Sequence, residues 1–149
     1  MIADALAAYA HFLSIFTLLS LLVAEAALYR QRMAPATLAL LRRLDLGYLL
    51  AAIPVLVTGL LRLLFFAKGW QFYAANPVFW MKMILFLLVG LMSVPPTLHY
   101  IKTAKASGAG EIAIPDRTYR HIRGHLIGQL ALFALIPLAA TLMARGIGM

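Results

Sequence analysis

The stretch ALAAYAHFLSIFTLLSLLVAEAAL, residues 5–28, decides the fold class of this chain. It is almost wholly apolar, and a helix of about 20 such residues is long enough to cross the hydrocarbon core of a bilayer. His11 and Glu25 interrupt it with ionisable groups. Because an ionisable side chain at membrane depth costs at least ~2.5 kcal/mol, it usually faces the protein interior and marks a pathway or a ligand site.

The composition of the whole chain agrees with a membrane protein. Hydrophobic residues make up 64% of the 149 residues and charged residues 12%, and the mean hydropathy is +0.91. Soluble domains have roughly 45–50% apolar and about 25% charged residues. The chain lacks cysteine, which excludes disulfides, thiolate-bound zinc and iron–sulfur clusters. The sequence also lacks GxSxG, P-loop and HExxH motifs, so hydrolase and kinase functions are not expected.

Hydropathy and helix-end signals predict four transmembrane helices over residues 5–29, 44–67, 78–100 and 116–145. The expected fold class is all-α, an integral membrane antiparallel four-helix bundle that forms a single domain over residues 1–149. Residues 104–110 are rich in Ser, Gly and Ala and predict a flexible link. The small residues Gly124 and Gly128 predict a close helix approach.

The distribution of basic residues predicts the orientation. Most of them fall in the links between spans one and two and between spans three and four, and these are Arg30, Arg32, Arg42, Arg43, Lys102, Lys105, Arg117, Arg120 and Arg123. The opposite side holds only Lys68 and Arg145. Because cytoplasmic links carry the excess of Lys and Arg, both termini are expected on the extracytoplasmic side. Helix ends therefore explain the net charge of +8, and nucleic acid is not an expected partner.

Three basic residues are predicted to meet inside the outer half of the bilayer. At ~1.5 Å per helical residue, His11, Arg62 and Lys82 lie at similar depths in the first three spans. Each lies on the helix face that carries the polar residues of its span. The residues of each face recur three or four positions apart. They are His11, Ser14, Leu18, Leu21 and Glu25 in span one; Tyr48, Ala52, Val55, Gly59 and Arg62 in span two; and Lys82, Phe86, Val89, Ser93 and Pro96 in span three.

A buried basic pocket of this kind suits a tetrapyrrole. A four-helix bundle can hold a flat macrocycle, with His11 as the haem iron ligand and Arg62 and Lys82 neutralising the propionates. Lys82 is alternatively a second axial base. A simple hydrogen bond from His11 to a neighbouring helix explains the residue equally well.

Two further polar groups predict other chemistry. His121 and His125 have the i, i+4 spacing of zinc ligands, but Arg120 and Arg123 favour contact with anionic headgroups instead. The residues that suggest proton or ion transport are Glu25, Asp45, His99, His125 and Gln129. Pairing of these carboxylates with Arg123 or neighbouring basic residues is the favoured alternative.

Residues 6–13 (LAAYAHFL), 45–52 (DLGYLLAA), 76–82 (NPVFWMK), 93–97 (SVPPT) and the tail 137–146 resemble a family of small bacterial four-helix membrane proteins of unknown function. That resemblance implies a fold and a location in the bacterial cytoplasmic membrane, and it implies no activity.

His11 in the first span and the segment from Trp80 to Lys82 opening the third are also distantly similar to HemJ-type protoporphyrinogen IX oxidases. This similarity implies haem b binding, with His11 and Lys82 as the important pair. It further implies porphyrin biosynthesis, in which a tetrapyrrole substrate is oxidised, Lys82 takes protons and electrons pass to a membrane acceptor.

The alternative is a non-catalytic membrane protein. Its outer-half polar cluster would bind lipid or a small anion, or organise partner subunits. A homo-oligomer would bring two copies of His11 together and supply a second axial ligand.

Overall fold

A computed structural model describes residues 2–66, 70–108 and 110–147. Its helices are α1 (Ile2–Leu28), α2 (Pro35–Leu61), which continues into a π-helical turn (Arg62–Phe66), α3 (Trp70–Ala74), α4 (Pro77–Ala106) and α5 (Asp116–Ala144). Two short strands, β1 (Arg32–Met33) and β2 (Ile112–Ala113), lie in the links. Residue 67, the predicted end of the second span, and Lys68 lie outside the described residues.

Four of the described helical segments are long and apolar enough to cross a membrane. They are Ile2–Leu28, Pro35–Phe65, Pro77–Ala106 and Asp116–Met143, with hydropathy of 2.0 to 2.1 in their most apolar stretches. The predicted all-α fold class with four long apolar helices is therefore confirmed. The orientation of the termini stays a prediction.

The second helix begins at Pro35, earlier than the predicted residue 44. Proline is favoured in the first turn because the backbone N–H that it lacks has no partner there. The helix then continues through Arg42 and Arg43, which are exposed, while Leu38 and Leu41 on its other face are buried. Hydropathy identifies the apolar part of a helix, but the first hydrogen-bonded turn can precede that part. For this reason the helix begins before the predicted residue 44.

The long helices pack as two antiparallel hairpins. The main contacts are between α1 and α2 and between α4 and α5, and smaller contacts of α1 with α5 and of α2 with α4 close the bundle. α1 therefore lies diagonally opposite α4. This order brings one face of each of the first three long helices toward a shared axis.

The buried faces largely match the predicted ones. The predicted residues that are buried are Leu18, Glu25, Tyr48, Val55, Val89, Ser93 and Pro96. Large apolar side chains such as Leu50, Ile53 and Leu87 are exposed on the outside of the bundle, where a bilayer covers them.

The two links at one end of the bundle pair as a β-ribbon that the sequence did not predict. Arg32 pairs with Ala113 and Met33 with Ile112 in antiparallel register. The Ile114 N–H extends the pairing by donating to the Gln31 carbonyl at 2.8 Å. We call this the ribbon end. The opposite end, where α1 begins and α5 ends, we call the termini end. Residues 112–114 of the link between the third and fourth spans are thus tied to the link between the first and second spans. Of the stretch expected to be flexible, residues 104–106 lie in α4.

Only one glycine of the predicted small-residue pair faces another helix. A Cβ added at Gly128 would lie 2.5 Å from Cε of Met92 on α4, whereas a Cβ at Gly124 would meet nothing within 4 Å. Gly128 therefore makes room on α5 for the end of the Met92 side chain. Gly124 lies on an exposed part of α5.

We expect Gly128→Val to destabilise the bundle by about 1–3 kcal/mol, because the added methyl groups must displace Met92. Gly124→Val is the matched control, since it changes the same backbone preference without a new contact. Unfolding midpoints in detergent micelles measure the difference. Equal losses of stability in the two variants would contradict this packing.

Candidate functional site

Three basic side chains gather at the termini end, and we call them the basic cluster: His11, Arg62 and Lys82. His11 comes from α1, Arg62 opens the π-helical turn after α2, and Lys82 lies in α4. All three side chains are partly buried. The charges of Arg62 and Lys82 act on His11, and that of Arg62 acts on Lys82, so the structure brings the predicted residues together.

A hydrogen bond fixes the His11 imidazole against α2. His11 Nδ1 lies 2.9 Å from Thr58 Oγ1, and Thr58 Oγ1 donates to the Pro54 carbonyl at 2.5 Å. A hydroxyl group has one proton, so Thr58 accepts its second hydrogen bond from Nδ1–H of His11. A neutral imidazole held in this way carries its free lone pair on Nε2.

Gly59 lets the imidazole lie directly on the α2 backbone. A Cβ at this position would lie 3.2 Å from His11 Cε1, which is tighter than an ordinary van der Waals contact. The predicted polar face of the second span already included Gly59. Thr58 was missed, although it precedes Arg62 by four residues and therefore shares its helix face.

Arg62 is the most unusual member of the basic cluster. It begins a π-helical turn, a distortion that occurs frequently at functional sites. Its guanidinium carbon lies 6.0 Å from the centre of the Phe12 ring. Its Nε atom is buried and makes no hydrogen bond. Such an atom retains an unused donor inside the site.

Lys82 completes the basic cluster from the diagonally opposite helix. Its Nζ lies 5.4 Å from the centre of the Phe79 ring. Within residues 2–66, 70–108 and 110–147, the ion pair found is Asp116 with Arg120, at 3.0 Å on the protein surface. No carboxylate among these residues therefore neutralises Arg62 or Lys82. The cluster is a concentration of positive charge that suits an anion.

A second polar group, made of acids and phenols, lies toward the ribbon end. Glu25 and Asp45 are buried, and Tyr48 and Tyr100 lie beside them. The predicted pairing of Glu25 with Arg123 is not seen, because Arg123 Nη1 lies instead 3.5 Å from the Ala26 carbonyl.

The predicted inner histidine pair is close but incomplete as a metal site. The rings of His121 and His125 meet edge to face with centres 4.7 Å apart. No third His, Cys, Asp or Glu joins them in the described part of the chain. We assign this pair no role.

Tyr29 and His99 form an unpredicted contact at the ribbon end. The Tyr29 hydroxyl lies 3.0 Å from His99 Nε2. Tyr29 follows α1 directly, and its burial, with a smaller effect from Tyr119, raises the pKa of its phenol. The phenol therefore keeps its proton at any physiological pH. The two residues are seventy positions apart, and no local pattern connects them.

Comparisons with known proteins place the chain in a family. A family model described as a predicted membrane protein, DUF2214, matches residues 3–148. No curated protein and no solved structure matches the chain. The matched region covers nearly every residue and includes all the helices described above except the first residue of α1. The chain therefore belongs to the DUF2214 family of predicted membrane proteins.

Proposed function

We propose that the basic cluster binds an anionic ligand within the membrane and that this ligand is haem b. One observation carries the proposal: the buried Nε of Arg62 lacks a hydrogen-bond partner in a cluster that no described carboxylate neutralises. A buried donor without a partner costs about 1–3 kcal/mol. An anionic oxygen placed beside Arg62 and Lys82 would recover that free energy.

The residues of the basic cluster fit haem b. His11 would bind the iron through Nε2, because Thr58 holds the proton on Nδ1. Arg62 and Lys82 would neutralise the propionates. When bound, haem supplies one-electron redox chemistry. The chain itself orients the His11 imidazole through Thr58 and Gly59. It compensates the negative charge of the propionates through Arg62 and Lys82.

The proposed activity is oxidation of a porphyrinogen, as in the HemJ-type enzymes that the His11 and Trp80–Lys82 segments resemble. As an alternative to its contact with a propionate, a neutral Lys82 would act as the base that takes protons from the substrate, and a membrane acceptor would take the electrons. A neutral Lys82, or a copy of His11 from a second chain, would be the other protein residue that holds the iron. This part of the proposal rests on the resemblance and takes no support from the family match.

An anionic lipid is the second candidate ligand. The specific observation in its favour is that Phe12, against which the Arg62 guanidinium lies, is 54% exposed on the outer surface of the bundle. A lipid headgroup can therefore approach Arg62 from the side. In this case the protein is a non-catalytic lipid-binding protein or an organiser of partner subunits.

We expect the purified protein, expressed with added haem precursor, to show a Soret band that is lost in His11→Ala, because His11 is the proposed iron ligand. His121→Ala is the matched control, since it removes an exposed imidazole at the ribbon end. Absorption spectra at equal protein concentration provide the measurement. A wild-type protein without a Soret band, or a band unchanged in His11→Ala, contradicts haem binding at this site.

Gly59→Ala should lower haem affinity by about tenfold or more, the range seen when groups that orient a metal ligand are changed. The new methyl group would push the His11 ring away from α2. Gly90→Ala serves as the control, because a Cβ there meets nothing within 4 Å. Haem titration of both variants gives the affinities, and equal affinities would show that the contact with Gly59 does not position His11.

Arg62→Gln should weaken binding of phosphatidylglycerol by about tenfold if the ligand is a lipid, since one charge-assisted hydrogen bond contributes ~1.5 kcal/mol. Arg145→Gln removes an exposed arginine from the same end of the bundle and should leave binding unchanged. Native mass spectrometry with phosphatidylglycerol and phosphatidylcholine measures retention. Equal retention of the two lipids excludes the lipid candidate.

A further inference from the structure

The buried acids lie apart from the basic cluster and have no role in the function proposed above. Glu25 on α1 is 2% exposed and Asp45 on α2 is 6% exposed. The charge of Asp45 acts on Glu25, so the two carboxyl groups lie within electrostatic range of each other. We call them the carboxyl pair.

Hydrogen bonds satisfy only part of the carboxyl pair. Asp45 Oδ1 accepts from Thr97 Oγ1 at 2.7 Å. Oε1 of Glu25 makes no hydrogen bond, and neither does the hydroxyl of Tyr100, whose side chain is 0% exposed. The Tyr100 hydroxyl interacts with the Glu25 carboxyl group without completing a hydrogen bond, so a fully buried polar group is directed at the pair. The pair therefore retains capacity for something that the protein atoms do not supply.

Within residues 2–66, 70–108 and 110–147, no Lys, Arg or His forms an ion pair with the carboxyl pair. Tyr48 on α2, Tyr100 on α4 and Tyr29 after α1 are neutral phenols close to the pair or to one another. On α5, Arg123 contacts the carbonyl of Ala26, the residue after Glu25, and forms no ion pair with Glu25. His99 on α4 is engaged with Tyr29.

Two neighbouring carboxylates that are buried without a cation cannot both be ionised at an acceptable cost. The effective penalty for burying one unpaired ion is several kcal/mol, and mutual repulsion adds to it. In such pairs the carboxyl groups share a proton and titrate as a unit. The unused oxygen of Glu25 is where that proton is free to bind.

Polar side chains lie between the carboxyl pair and a cavity at the ribbon end. The cavity has a volume of about 490 Å³ and is lined by His99, Thr103 and residues 106–108 and 110–115. His99 Nδ1 lies 3.5 Å from Thr103, and its Nε2 lies 3.0 Å from the Tyr29 hydroxyl. The Tyr29 and Tyr100 rings are in contact, with centres 5.9 Å apart. The Tyr100 side chain in turn lies beside Glu25.

We propose that Glu25 and Asp45 form a proton-binding site inside the membrane, loaded from the cavity at the ribbon end through His99, Tyr29 and Tyr100. His99 takes up a proton from water in the cavity and releases one to Tyr29. Because the Tyr100 hydroxyl makes no direct hydrogen bond, a water molecule carries the proton from Tyr29 to Tyr100. Each phenol accepts one proton and passes on its own, so both tyrosines end neutral. The proton stays on the carboxyl pair. This site is independent of the ligand that the basic cluster binds.

Infrared spectroscopy of the protein in sodium-free membranes at neutral pH tests the site. We expect a C=O stretch of a protonated carboxyl group that shifts in D2O and is lost or displaced in Glu25→Gln and Asp45→Asn. Glu111→Gln, which changes an exposed glutamate, should leave it unchanged. Wild-type protein with carbon-13-labelled carboxyl groups assigns the band if a variant fails to fold.

Absence of the band in the wild type, or its persistence in both variants, overturns the proposal. Loss of the band when sodium is added also overturns it, because the pair would then be a cation site.

Exchange kinetics test the route. Tyr29→Phe should slow deuteration of the carboxyl band by a factor on the order of 10², the usual contribution of a positioned proton-transfer group. Tyr9→Phe, which removes an exposed phenol at the termini end, is the control and should exchange at the wild-type rate. An unchanged rate in Tyr29→Phe would overturn loading from the ribbon end.

Discussion

The cost of exposing an ionisable side chain to hydrocarbon is the constraint on which this structure depends. Each long helix has an outer surface of leucine, isoleucine and valine that a bilayer can cover, and its ionisable residues within the span must turn inward. His11 and Glu25 lie on one face of α1, and Asp45 and Arg62 are placed in the same way on the second span. The buried face of each helix follows from this requirement, and the bundle follows from the meeting of those faces.

The bundle separates its buried bases from its buried acids. His11, Arg62 and Lys82 lie at the termini end, whereas Glu25 and Asp45 lie toward the ribbon end. If the two groups shared one layer, they would pair and neutralise each other, and neither would retain affinity for a ligand. Their separation along the axis leaves one site suited to an anion and another suited to a proton. That arrangement is the structural basis of both proposals.

The β-ribbon matters to function because of what it encloses. By pairing the two links, it fixes the segment from Ile112 to Ile114 over the end of α4, and this segment lines the cavity that His99 also lines. The basic cluster lies at the opposite end, where Arg62 begins the π-helical turn. The two ends of the four-helix bundle therefore differ in local structure. The ribbon end has a pair of strands, and the termini end has a π-helical turn.

The sequence by itself determined the membrane class, the four spans and the inward faces, because hydropathy and helical periodicity are local properties that each segment carries in its own residues. It also placed His11, Arg62 and Lys82 at one depth, since depth follows from counting along a helix. Tertiary structure alone decided the rest.

The contacts of His11 with Thr58, of Tyr29 with His99 and of Gly128 with Met92 join residues far apart in the chain, and they depend on how the helices are rotated and paired. The ribbon depends on the relative position of two links that carry no strong strand pattern. Such features are set by packing between segments, which no single segment encodes.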